Sequence, residues 1–359
     1  RHPWAFIIIP LMISFTAIYK IKDLSTDASL MDDLRPQDKL YQDLKMTEKY
    51  FGGVLPFEVL LKLDKENKES KKTVLDPAVF SYLQDIEDLL NTELKNSRFF
   101  SLSTFLKSIK RIRGEPDSIF YSSTTIEQIL NVREKGQPKL IDQKQSTLRI
   151  TGLIENKTSS EMEEIYAKLD SLAKSFPSYL SIECTGTTVV ALRTNDYLVQ
   201  SLVNSLGIAL LLISIVMAFM FRRKSILFAS LITNLIPIFT VLGILSWLGI
   251  SIRPPTAMTF SVALGIAVDD SLHFLLRYRK ELRQGSNRVE AIKATIINTG
   301  SALMITTTIL VSGFSVLLLS AFLPTYQFGM LAAGMIGTAL LCDLTLLPAL
   351  CLVLPNEES

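Results

Sequence analysis

The chain is predicted to be an α-helical membrane bundle of six transmembrane helices, arranged one plus five, with an α+β domain between the first and second spans. Apolar residues crowd into the start of the chain and again into everything after Tyr197. The stretch between is rich in Lys, Glu, Asp and Ser, the make-up of an ordinary soluble domain. The total decides less, because 48% hydrophobic residues in a chain of 359 is a share that soluble proteins also reach. A net charge of +2 argues against a dedicated nucleic-acid binder.

A bilayer core about 30 Å thick needs about 20 apolar helical residues to cross it. The runs that meet this are Pro3 to Tyr19, which is short, Leu198 to Phe221, Ile226 to Ile250, Pro255 to Leu276, Asn298 to Phe322 and Tyr326 to Leu354. The predicted organisation is a first span over residues 1–21, a soluble domain over 22–197, a five-helix bundle over 198–354 and a cytoplasmic tail over 355–359. Pro348 lacks an N–H, which predicts a kink in the sixth span. The opening Arg1-His2-Pro3-Trp4 could begin a signal peptide, but no small-residue cleavage site follows, so an uncleaved span in a segment of a longer protein is expected.

Basic residues then set the orientation. Arg222-Arg223-Lys224 lies between the second and third spans, and Arg277, Arg279, Lys280, Arg283, Arg288 and Lys293 follow the fourth. The opposite short loops hold Arg253 alone and nothing basic around Leu323-Pro324-Thr325. An excess of Lys and Arg marks cytoplasmic loops. Both termini are therefore expected in the cytoplasm, with the large domain outside and the chain in the cell's inner (cytoplasmic) membrane.

The soluble domain reads as two strand–helix–strand units. Leu55 to Leu63 forms a strand, and Pro77 to Leu94 an amphipathic helix opened by Asp76, with Val79, Phe80, Leu83, Ile86, Leu89 and Leu90 apolar. Thr147 to Ile154, Ser159 to Ala173 and Leu180 to Thr185 repeat the order as strand, helix and strand. This repetition predicts a ferredoxin-like split βαβ sandwich. Residues from Leu102 to Leu140 read as helical or irregular, broken by Gly114, Pro116, Gly136 and Pro138. The domain shows no catalytic constellation and reads as a binding or scaffolding unit. Cys184, Cys342 and Cys351 lack metal-binding spacing, so neither a metal site nor a disulfide framework is expected.

The membrane half carries the chemistry. Asp269 and Asp270 lie roughly 21 Å beyond Pro255 at about 1.5 Å per helical residue. An Asp at mid-span costs about 2.5–3.5 kcal/mol on insertion scales, so an internal cavity, a partner or a proton must offset the pair. Two adjacent carboxylates do not both ionise readily, which suits a reversible proton carrier. Helical geometry places His273 between the two Asp side chains, with Thr259, Val262 and Ile266 continuing that face. A histidine beside carboxylates relays protons or pairs with them. Asp269, Asp270 and His273 are the candidate proton relay.

Candidate partners come from other spans. Thr306, Thr307 and Thr308 interrupt the fifth, and Asn298 and Thr299 mark its start. Asp343 lies in the sixth at a depth similar to Asp269, and Asn234 and Pro237 break the third. Threonines in spans often bond back to their own helix, whereas an ionisable residue at that depth is functional by default. Thr306, Thr307 and Asp343 are taken as possible relay partners. Ala333, Gly334 and Gly337 suit close helix packing.

The run Gly265-Ile266-Ala267-Val268-Asp269-Asp270-Ser271-Leu272-His273-Phe274-Leu275-Leu276-Arg277-Tyr278 resembles the fourth-span signature of the resistance–nodulation–division (RND) superfamily, closest to the MMPL-type exporters. Supporting segments fall in the same order: Thr233-Asn234-Leu235-Ile236-Pro237, Ser312-Gly313-Phe314-Ser315, Phe328-Gly329 and Asp343-Leu344-Thr345-Leu346-Leu347-Pro348-Ala349. The resemblance implies a unit that pairs with a second RND half or forms a homo-oligomer, and fourth-span acids that carry protons to drive export. Asp269 and Asp270 match those acids, and Thr306 and Thr307 roughly match their polar partners. The membrane Lys that some efflux pumps use as counter-charge has no equivalent within these spans. The Asp-Asp-x-x-His form, the Arg1 start and the polar Pro355-to-Ser359 ending resemble a C-terminal half.

The leading expectation is a proton-coupled exporter of lipid or other hydrophobic or amphiphilic molecules, a secondary active transporter that meets membrane lipids and uses the proton motive force without a cofactor. One alternative is a sterol- or lipid-sensing or protein-export accessory module without flux of its own. A remote one is an intramembrane aspartyl protease pairing Asp269 or Asp270 with Asp343, although the Gly-x-Gly-Asp context of such enzymes is missing.

Overall fold

The computed structural model describes residues 3–22, 24, 26, 27, 29–63, 74–116, 125, 126, 139–142, 144, 146–221 and 223–354. Gly136, Pro138, Arg222 and the expected tail 355–359 lie outside the described residues. The chain divides into two units, Ser29–Thr194 and a second made of Arg1–Ala28 with Asn195–Ser359.

In the first unit, strands β1 (Leu55–Leu63), β2 (Arg98–Phe100), β3 (Thr147–Ile154) and β4 (Leu180–Thr185) form one antiparallel sheet in the order β2-β3-β1-β4. Residues along β1 alternate as the period of two demands, with Phe57, Val59, Leu61 and Leu63 buried. Against that face pack Val79, Leu83, Ile86 and Leu90 of the helix Pro77–Glu93, and Met162, Ile165 and Leu169 of the helix Ser159–Ala173. Thr158 and Glu161 start the second helix as a reciprocal capping box. The other sheet face is polar, with ion pairs Glu58–Arg149 and Lys62–Glu183 joining neighbouring strands.

Two local devices fix the loops. Gly52 ends the helix Lys39–Phe51 at φ +81°, and a Cβ there would lie 1.8 Å from the Asn96 carbonyl oxygen. Asp142 gathers the chain before β3 by accepting from the Ser146 and Thr147 amides at 2.6 and 2.8 Å and the Ser146 hydroxyl at 2.9 Å. Burial pushes the Asp142 carboxyl up, and the bonds from Ser146, Thr147 and Lys144 outweigh it, so the group sits below its ordinary pKa.

Among the described residues, six helices are long and apolar enough to cross a membrane: Pro3–Ile21, Thr187–Phe221, Lys224–Trp247, Pro254–Arg283, Arg288–Leu319 and Leu323–Val353. Several run beyond their apolar cores. Hydropathy falls at the first charged residues, but helical bonding continues until a true stop or start signal. The second begins directly after Gly186 (φ +102°), the fourth ends just before Gly285 (φ +91°), and the Asn287 side chain caps the fifth by accepting from the Glu290 amide.

The third, fourth and sixth spans are the most buried, and the first, second and fifth are peripheral. The first crosses the third where Gly243 meets Ala17, and a Cβ on Gly243 would come within 2.4 Å of the Ala17 Cβ. The packing expected at Gly334 and Gly337 is not found, since an added Cβ at either meets nothing within 4 Å. Those glycines project away from neighbouring spans of this unit. On the sixth span, Gly329 makes the close approach instead, against Leu317 and the Phe314 carbonyl.

Pro348 acts through a π turn over Cys342–Leu346, immediately before the short terminal helix Leu347–Val353. Its missing N–H removes one α-helical bond, and the wider turn stands just ahead of it, whereas Pro10 and Pro237 lie within continuous α-helices. A second π turn, Ile296–Gly300, lies inside the fifth span. Arginines close two helix ends: Arg279 donates to the Met220 carbonyl at 2.8 Å, and Arg288 to those of Leu352 and Leu354 at 3.3 and 3.2 Å.

Candidate functional site

The fourth span turns by about 100° per residue, so consecutive side chains cannot share an environment. Asp270 points into the bundle and is 9% exposed, and its Oδ2 accepts from the Thr307 hydroxyl of the fifth span at 3.1 Å. Asp269 points outward with His273, one turn on, and their side chains are 66% and 60% exposed. His273 Nε2 lies 3.5 Å from Asp269 Oδ1. His273 pairs with Asp269 and also interacts electrostatically with Asp270, whose hydroxyl partner is Thr307.

All three nevertheless meet one space. A pocket of about 400 Å³ is lined by Asp269, Asp270 and His273 from the fourth span and by Thr299 and Thr306 from the fifth, with Ile266, Ala302, Leu303 and Leu310 completing it. Thr306 contributes to the wall but bonds to its own helix, donating towards the Ala302 and Leu303 carbonyls at 3.1 Å. Thr307 is the threonine that reaches a carboxylate. The arrangement gives a proton two classes of acceptor, an accessible Asp–His pair and a buried carboxylate reached from the same pocket.

Asp343 does not join that pocket. It sits in the π turn of the sixth span, 1% exposed, with Oδ1 2.5 Å from the Ser271 hydroxyl. Ser271 Oγ also lies 3.3 Å from Asn234 Oδ1 on the third span. Sequence reading missed Ser271 altogether and treated Asn234 only as an interruption. Its one available signal was that Asn234, Ser271 and Asp343 are polar residues in three apolar runs.

A further polar pair stands at the start of the fourth span, where Arg253 is 7% exposed and donates to Gln327 Oε1 at 3.0 Å. It ties the fourth span to the sixth. Among the described residues no group of His, Cys, Asp and Glu is arranged to hold a metal ion.

Comparison with known proteins gives these features a context. Residues 133–357 match the MMPL family, a stretch that takes in the second to sixth spans. A chain of Methanocaldococcus jannaschii, named as the membrane protein MJ1562, is 24% identical over 367 residues, covering 98% of this chain and 91% of that one. ActII-3 of Streptomyces coelicolor, also named as a membrane protein, is 35% identical over 106 residues, covering 29% of this chain and only 15% of that protein. With a family match over more than half its length and six helices able to cross a bilayer, the chain belongs to the MMPL family of multi-pass membrane proteins.

Proposed function

We propose that this member of a transporter family is a proton-coupled exporter of lipid or other hydrophobic or amphiphilic molecules, driven by the proton motive force with no cofactor. One observation carries the reading: Asp270 is a buried carboxylate inside an apolar bundle, held by a single hydroxyl and open to a pocket shared with Asp269 and His273. An ionised carboxylate there is costly, and a proton removes the charge. Asp269 and His273 exchange protons at the accessible wall of the pocket, and Asp270 takes one inside. Neutral Asp270 no longer needs the Thr307 hydroxyl as a charge-assisted donor, which frees the fourth span to shift against the fifth. Each proton crossing 100 mV supplies about 2.3 kcal/mol, so a few per cycle suffice to bias two conformations.

The soluble unit is then a ferredoxin-like, porter-type domain outside the inner membrane; its strand order β2-β3-β1-β4 supports the first part of this reading and the basic loops the second. The exposed Asp269–His273 face and the peripheral fifth span favour a partner there, a second RND half or another copy of the chain. That the M. jannaschii relative is covered over 91% of its length by one such unit favours the copy.

A lipid-binding module without flux is the second reading. An apolar groove of about 560 Å³ between the first and third spans, lined by Leu11, Met12, Phe15, Leu235 and Phe239 among others, favours lipid contact in either case. Transport in sealed vesicles separates the two. With Asp269 and Asp270 both changed to Asn, proton-driven flux is expected to vanish; undiminished flux would remove the mechanism.

A further inference from the structure

Away from the pocket, three spans meet on one hydroxyl. Asn234 of the third, Ser271 of the fourth and Asp343 of the sixth are all buried, at 4%, 0% and 1% exposure. Ser271 Oγ is within hydrogen-bonding distance of two acceptor-capable atoms, Asp343 Oδ1 at 2.5 Å and Asn234 Oδ1 at 3.3 Å. The Asn234 amide is oriented by its own bond, Nδ2 donating to the Ser230 carbonyl at 2.8 Å, which leaves Oδ1 as the atom turned to Ser271. The second Asp343 oxygen, Oδ2, is buried with no hydrogen-bond partner.

A hydroxyl has one hydrogen to give. With Asp343 ionised, its Oδ1 and Asn234 Oδ1 compete for that hydrogen and one goes without, while Oδ2 stands as a bare carboxylate oxygen in an apolar interior. With a proton on Asp343 the donors run in one direction: Asp343 O–H to Ser271 Oγ, Ser271 O–H to Asn234 Oδ1, Asn234 N–H to the Ser230 carbonyl. The unpartnered Oδ2 is then a neutral carbonyl, a far cheaper group to leave unpaired than a charged one.

We propose that Asp343, Ser271 and Asn234 form a second, interior proton site, separate from the Asp269–Asp270–His273 pocket, in which Asp343 holds the proton and Ser271 transmits its presence to the third span. When the Asp343 O–H bond breaks and the proton leaves to water, the Ser271 hydrogen swings from Asn234 Oδ1 to the Asp343 carboxylate. Asn234 Oδ1 loses its donor, and the third span gains a reason to move. Among the described residues, Asp270 on the fourth span and Cys342 beside Asp343 are the titratable groups that interact with it; the third span contributes the neutral Asn234. Ser271 follows Asp270 in the chain, so a rotation that takes Asp270 off Thr307 also takes Ser271 off Asp343. The two sites are linked through one helix. The π turn is what holds Asp343 at this position, and such turns recur at functional sites.

The proton site stands on hydrogen-bond geometry alone, and its part in an export cycle rests on the proposed function. The test is infrared difference spectroscopy of the full chain in lipid nanodiscs, titrated through neutral pH. A carboxylic-acid C=O band that persists at neutral pH is expected, lost in Asp343→Asn and kept in Asp270→Asn. In Ser271→Ala the band is expected to stay but shift to higher frequency, because its hydrogen-bond acceptor is gone. A band unchanged in Asp343→Asn, or one lost only in Asp270→Asn, overturns the proposal. Loss of the wild-type band on adding sodium at fixed pH also overturns it, by assigning the oxygen cluster to a metal cation. A band that obeys the three variants in a protein whose flux ignores the pH gradient supports the interior site and refutes the export mechanism, so the two failures are distinguishable.

Discussion

The separation of Asp269 from Asp270 follows from helix geometry, and it makes the neighbouring threonines a direct test of the site. Thr307 donates to Asp270, and Thr306 to its own helix. A hydrogen bond to a charged group contributes about 1.5–3 kcal/mol, so Thr307→Val is expected to lower proton-driven flux by roughly tenfold or more. Thr306→Val, measured in the same vesicles, is expected to change flux by no more than about twofold, because only a back-bond is lost. Asp142 gives a second residue-scale outcome. Its pKa is depressed on folding, so its stabilisation is present above the unfolded value of about 4 and lost as pH falls through the lower folded value. Asp142→Asn is therefore expected to lower the protein's thermal unfolding temperature at pH 7, with the difference disappearing in acid. The acidic pair was legible from sequence because a charge in an apolar run is conspicuous. Ser271 was not, because serines bond locally in most helices and its partners come from spans far away in the chain.

Among the elements, the spans were legible because lipid imposes a length of apolar helix that few other structures need. Their ends were not, since charged residues outside the bilayer continue a helix until Gly186, Gly285 or Asn287 intervenes. The strands β1, β3 and β4 carried their alternation in the sequence, whereas β2, only Arg98–Phe100, is too short to show one. Close helix packing depended on which way a small residue faces, and this a linear pattern does not encode. Gly243 abuts Ala17, and Gly334 meets nothing within the unit. Gly243→Val is expected to cost about 1–3 kcal/mol by overpacking, seen as a lower unfolding temperature in detergent, with Gly334→Ala nearly silent. Equal effects of the two would contradict the observed crossing of the first and third spans.

The whole molecule is a six-span MMPL protein with an α+β unit between its first and second spans. Orientation is accessible first. In a background lacking the native cysteines, Ser286→Cys is expected to react with a membrane-impermeant label only from the cytoplasmic side, and Lys157→Cys only from the outside. The reverse pattern would invert the direction of the proton gradient the bundle could use. In the proposed function protons entering through Asp270 drive export, so internal pH and substrate flux should change together in oriented proteoliposomes. Proton entry is expected to rise when a transported lipid is supplied, to be abolished by Asp270→Asn, and to take substrate flux with it. Substrate movement that continues after a protonophore collapses the gradient, at the same rate with Asp270 or Asn at that position, would contradict it.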